Sequence, residues 1–132
     1  MSEKLERRDS WRKFMNEEKN RYFIFQLIDD EENAEILFMS YEWMREKGEP
    51  IVGGNYACRY VDDIKERDGI GDVEILDELY EKFNINRPAD YHGRSVSISD
   101  IVVLLRGGRA RTYYVDSIGF RRIPNIFGGD AK

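Results

Sequence analysis

A chain of 132 residues with 41% hydrophobic, 36% charged and 13% aromatic side chains has the size and composition of one globular domain, large enough to fold without a metal or a covalent staple. Its one cysteine, Cys58, excludes an internal disulfide and a multi-cysteine zinc site, and its one histidine, His92, excludes a His-rich metal site. The net charge of −5 is unevenly spread, −6 over residues 61–90 against +4 over residues 91–132, so it either draws two halves of one fold together or leaves an acidic face for a basic partner.

Residues 1–19 read as a charged N-terminal helix or arm, in which Trp11, Phe14 and Met15 are spaced for one face of a short helix. The segment lacks the apolar centre of a signal peptide, and no run in the chain approaches the ~18 apolar residues that span a bilayer. A cytoplasmic protein with no membrane partner is expected. Residues 20–127 read as the domain proper and 128–132 as a tail. Tyr22 to Ile28 is β-branched, aromatic and apolar on both faces, which predicts a strand. Asp29, Asp30, Glu31 and Glu32 make an exposed acidic turn, and Ala34 to Met39 is expected to return as the second strand of a hairpin over 22–39. Ser40 is placed to cap a short helix over 41–47, which Gly48 ends. Asn55 to Val61 predicts a third strand, with Cys58 buried as a small hydrophobe.

Asp72 is expected to cap the main helix. Val73, Leu76, Leu79, Tyr80 and Phe83 form its apolar stripe, Glu74, Asp77, Glu78 and Glu81 its wet face, and Asn84 its end. Arg94 to Ile98 alternates like a short strand, and Ser97 to Asp100 reads as a tight turn whose side chains bond the backbone. Ile101 to Leu105 and Ala110 to Asp116 pair across Gly107-Gly108, and Gly119 to Ile123 is a last strand closed by Pro124. The sum is an α+β fold: a small single domain, mostly antiparallel sheet, with one main amphipathic helix and one or two short ones.

No familiar catalytic pattern emerges. The glycine pairs lack the lysine and hydroxyl residue of a phosphate loop, and a triad built on His92 would lack the Gly-x-Ser-x-Gly elbow. The 29–32 carboxylates lack calcium-loop spacing. The reading therefore names no catalytic residue, cofactor or metal. Two charged constellations remain. The first is acidic: Asp29, Asp30, Glu31 and Glu32 with Asp77, Glu78 and Glu81. The second is basic: Arg106, Arg109 and Arg111 around a hairpin tip, with Arg121, Arg122 and interleaved tyrosines, a pattern suited to single-stranded nucleic acid. Asp100 and Asp116, each among apolar residues at a strand edge, are expected to accept backbone N–H bonds. The alternative is a small polar pocket bordered by Tyr91, Arg94, Ser95, Tyr114 and Asp116.

The residues Phe83-Asn84, Pro88, the run Tyr91, Gly93, Arg94, Ser95, Ser97, Ser99 and Asp100, and the set Tyr114, Asp116, Gly119 and Phe120 carry a resemblance to the YodL-like family over roughly residues 20–127. The resemblance implies a compact α+β domain of bacterial, phage or conjugative-element origin with no established catalytic residues. It suggests a non-enzymatic accessory protein that binds another protein. That partner would be a host factor, a defence nuclease among the candidates, and the acidic residues would meet its basic surface. The alternatives are nucleic-acid binding through the Arg106–Arg111 hairpin and, behind that, an enzyme using the polar pocket.

Overall fold

A computed structural model describes residues 7–127. Its organising element is Arg21–Leu27, strand β1, every residue of which is buried. A strand that is apolar on both faces is stable only with both faces covered and both edges paired. β1 sits between Tyr56–Asp63 (β2) and Ile101–Arg106 (β3), and the sheet continues through Arg109–Val115 (β4) to Phe120–Ile123 (β5). The order is β2-β1-β3-β4-β5, antiparallel throughout.

Alternation divides the core into two layers. Phe23, Phe25, Leu27, Ile101, Val103, Leu105, Tyr114 and Ile123 face one side. They are covered by Met15 and its neighbours on the short helix Trp11–Met15 (α1), by Ile36, and by Met44 of the helix Tyr41–Glu46 (α2). Phe127 stacks on Phe25 with ring centroids 4.0 Å apart, and Trp11 meets both rings edge-on. Tyr22, Ile24, Tyr60, Val102, Leu104 and Val115 face the other side, under Ile75, Leu76, Leu79 and Phe83 of the main helix Asp72–Ile85 (α3). A register shift between Ile24 and Phe25 skips Arg59, so Cys58 faces the α1 layer while Tyr60 faces α3. Burial pushes the Cys58 thiol up to about 12, which leaves it unreactive at neutral pH.

Four expectations are corrected. Residues 34–39 are not a strand. Both edges of β1 are taken by β2 and β3, and Glu31–Asn33 forms a 3₁₀ turn capped by Asp30, whose Oδ1 accepts from the Asn33 N–H. The buried Asn33 amide then donates to the Ile28 carbonyl at 2.8 Å, pinning the chain away from the sheet plane. Residues 94–98 are irregular, because their polar groups bond side chains instead of a neighbouring strand. Helix α3 is capped by Gly71 and ends at Ile85, one residue past Asn84. Its buried stripe is Ile75, Leu76, Leu79 and Phe83, while Val73 and Tyr80 are 64% and 44% exposed.

Candidate functional site

The motif segment before β3 is anchored by Gln26, whose side chain is fully buried in β1. Its Oε1 accepts from the Arg94 N–H at 3.0 Å, and its Nε2 donates to the Arg94 carbonyl at 3.0 Å and to Asp100 Oδ2 at 2.9 Å. The same Asp100 oxygen accepts from the Ser97 N–H at 2.9 Å, closing the 97–100 turn. Tyr91 donates its hydroxyl to the Arg94 carbonyl, and Asn84 donates to the Val96 carbonyl at 3.0 Å, so α3 holds the segment from the other end. Gly93 is required here. A Cβ would stand 2.4 Å from the Tyr91 hydroxyl and 2.7 Å from Gln26 Oε1. A largely buried polar network of this kind is stabilising because nearly every member is satisfied. The exceptions are Arg94 Nε and Asp100 Oδ1, neither of which has a hydrogen-bond partner, and Asp100 Oδ1 sees the Arg94 guanidinium only at 4.0 Å. Burial pushes the Asp100 carboxyl up to about 7, against the Ser97 N–H and the Gln26 amide, which favour the charged form.

Ser99 is fully buried in a left-handed backbone conformation, φ 83°, that non-glycine residues rarely adopt. Three bonds hold it there: its N–H donates to the Val115 carbonyl, its carbonyl accepts from the Tyr56 hydroxyl, and its Oγ accepts from the Phe38 N–H. Ser97 bonds locally, its hydroxyl donating to the Ser95 carbonyl. The second half of the motif works on the opposite layer. Asp116 Oδ1 accepts from the N–H of Tyr41, the first residue of α2, at 3.1 Å, and Tyr114 donates its hydroxyl to the Met39 carbonyl at 2.6 Å. Gly119, at φ 70°, returns the hairpin, its carbonyl accepting from the Asp116 N–H, and leads into Phe120 of β5. Tyr91 and Tyr114 thus lie in the two different core layers. The polar pocket expected from Tyr91, Arg94, Ser95, Tyr114 and Asp116 does not assemble, because the sheet separates its members.

The two charged constellations are treated differently by the fold. Asp77, Glu78 and Glu81 are all exposed on the outer side of α3, with Val73, Tyr80 and Ile85 exposed among them. Glu78 also pairs with Arg67. Asp29, Asp30, Glu31 and Glu32 are exposed as well, but they lead into the segment whose Ile36 packs on the face opposite α3. Of the arginines, Arg106 and Arg111 are committed within the fold. Both pair with Asp72, at 2.8 Å and 2.5 Å, and Arg106 also takes Glu66 at 2.7 Å. The Arg111 guanidinium, with Tyr113 and Arg106, holds the Asp72 carboxyl well below the usual carboxylate range despite burial. Attraction between the acidic and basic thirds of the chain is therefore spent on docking the start of α3 onto the β3–β4 hairpin. Arg109, Arg121 and Arg122 remain exposed, and none of the three pairs with a carboxylate among the described residues. His92 is exposed in the 91–94 loop, apart from the bonding of Ser97, Ser99 and Asp100. Among the described residues no group of three potential metal ligands converges.

What sequence reasoning missed is Gln26, and the role of Asp72 as the counter-charge of Arg106 and Arg111. A lone glutamine in an otherwise apolar central strand was the available signal, since a buried amide must find partners. The fold is a small α+β domain whose signature residues staple loop backbone to the two faces of one antiparallel sheet. The chain belongs to the YodL-like domain family, whose model matches residues 21–126, from the start of β1 to Ile126, and leaves α1 outside. No curated protein and no solved structure matches the chain at a significant level.

Proposed function

We propose that this protein is a non-enzymatic accessory module that binds another protein through the outer face of α3. The observation that carries the reading is the composition of that face. Glu74, Asp77, Glu78 and Glu81 run as an acidic stripe along the exposed side of the helix, with Val73 and Tyr80 exposed at one edge of the stripe and Ile85 at its C-terminal end. An acidic stripe with apolar residues at its margins suits a partner whose own surface is basic, where charge speeds encounter and apolar burial holds the complex. A nucleic-acid-binding surface on a host protein, a defence nuclease included, has that character. The setting we propose is an accessory protein of a bacterial mobile element or phage, acting on such a factor in the cytoplasm. The motif residues contribute indirectly, by fixing the sheet on which α3 rests.

Nucleic-acid binding through the arginine hairpin is the weaker reading, since Arg106 and Arg111 are already neutralised by Asp72 and Glu66. The two separate in an affinity capture from bacterial lysate, with and without nuclease, using the wild-type chain and a variant carrying Asp77→Lys, Glu78→Lys and Glu81→Lys. A partner kept through nuclease treatment and lost with the variant supports the proposal. Recovery that depends on nucleic acid and ignores the variant overturns it.

A further inference from the structure

We infer that the outer edge of β5, with the apolar groove beside it, is a docking site for an extended acidic segment of a partner protein, which adds to the sheet as a sixth strand. β5 ends the strand order, and among the described residues nothing pairs with its outer edge. An unpaired edge offers a row of backbone donors and acceptors, and natural proteins usually protect such rows. This one is short, four residues, and carries Arg121 and Arg122, which discourages pairing with a second copy because four arginines would be brought together. The same charges attract an acidic strand.

The surfaces on either side of the edge set what that strand must look like. On the α1 and α2 side, Ile123 borders a groove of about 320 Å³ lined chiefly by Tyr41, Met44, Ile51 and Ile126. Arg121 lies over the Tyr41 ring at 4.2 Å, at the entrance to this side. On the α3 side, Arg122 is exposed beside Tyr113, the half-exposed Phe120 packs against the α3 layer, and Arg109 lies at the far end of the hairpin. An added strand points alternate side chains to the two faces. Apolar residues would enter the groove, and carboxylates on the other face would meet Arg122 and Arg109. Arg45 and Glu49 both line the groove and offset one another, so the preference for an anionic ligand comes from the exposed Arg109, Arg121 and Arg122. Phe120 meets Tyr80 of α3 edge-on, with ring centroids 6.3 Å apart, so this surface adjoins the outer face of α3, and the Arg122→Glu and Asp77→Lys variants separate the two proposals.

The probe is a capped peptide of about ten residues, the length of a long strand, alternating glutamate and isoleucine, read by fluorescence anisotropy and by hydrogen exchange. Two controls replace glutamate with lysine, or methylate alternate backbone nitrogens so that the strand cannot donate. The expected result is binding that protects β5 amides. Methylation or lysine should abolish it, Arg122→Glu should weaken it about tenfold or more, and Asp77→Lys should leave it unchanged. Both substituted positions are exposed, so the variants fold. No binding at millimolar peptide, or binding indifferent to methylation and to Arg122→Glu, overturns the inference. So does self-association of the protein that the peptide cannot displace, or tighter binding of a single-stranded oligonucleotide to the same residues.

Discussion

Replacing Asp100 with asparagine should remove a pH dependence of stability that this one carboxyl builds into the fold. Its carboxyl is fully buried, with one oxygen bonded twice and the other unbonded. Burial raises it from an ordinary 3.8 to about 7. An acid whose folded pKa lies above its unfolded one holds its proton more tightly in the fold. The folded state therefore binds more protons between those values, and stability falls as pH rises from about 4 to about 7. The gap is about three pH units at about 1.4 kcal/mol each, so the loss across the window is about 4 kcal/mol. Asparagine keeps a carbonyl oxygen for the Ser97 N–H and the Gln26 amide and places an uncharged group where the unbonded oxygen lies. The variant should match the wild type within about 1 kcal/mol at pH 4 and exceed it by several at pH 8. Alanine differs, since it leaves both donors without an acceptor and should lie about 1–3 kcal/mol below the asparagine variant at either pH. Urea unfolding followed by tryptophan fluorescence at stepped pH measures all three. A stability difference between wild type and Asp100→Asn that does not change with pH would refute the reasoning.

Three further outcomes are expected. Leu79→Ala, in the buried stripe of α3, should cost about 2–5 kcal/mol in chemical denaturation, and a loss near zero would mean that this face does not pack on the sheet. Asp72→Asn should cost about 1.5–3 kcal/mol at pH 7 by weakening its bonds to Arg106, Arg111 and Tyr113. Because the Asp72 pKa is depressed in the fold, that contribution is present above about pH 4 and fades in acid, so wild type and variant should converge as pH falls. Asp116→Ala should release the start of α2 and cost about 0.5–2 kcal/mol, in the range of a lost helix cap, with hydrogen exchange quickening first at Tyr41.

The parts of the fold visible in the sequence are those fixed by local pattern. Tyr22 to Ile28 could only be a doubly covered strand, Gly107-Gly108 with positive φ at both residues could only be a tight hairpin, and Ser40 caps α2 through its bond to the Trp43 N–H. The failures come from competition over distance. Ile36 to Met39 is apolar enough for a strand, but both edges of β1 were claimed by residues 29–42 and 76–84 positions away, and Asn33 found its partners in the Ile28 carbonyl and the loop before β2. In α3, steps of three and four fit Val73 and Tyr80 as well as Ile75 and Leu79. Only the orientation of the helix over Tyr60 and Leu104 chooses between them. The motif aspartates were readable as backbone acceptors from their turn setting. That Asp100 leans on Gln26 and Asp116 on Tyr41 depends on separations of 74 and 75 residues, which no local pattern encodes. The arginine cluster looked like a binding surface because its counter-charge, Asp72, lies 34 and 39 residues earlier.

The central claim is that the outer face of α3 binds a basic protein surface. It is tested most directly by association kinetics of the captured partner with the wild type and with the Asp77→Lys, Glu78→Lys, Glu81→Lys variant at two salt concentrations. The account predicts that the reversals slow association of the partner, that added salt slows the wild type in the same way, and that single- and double-stranded oligonucleotides do not bind the wild type even at low salt, where electrostatic association is strongest. Micromolar oligonucleotide binding lost with Arg109, Arg121 and Arg122, together with a partner rate indifferent to the acidic reversals, would contradict it.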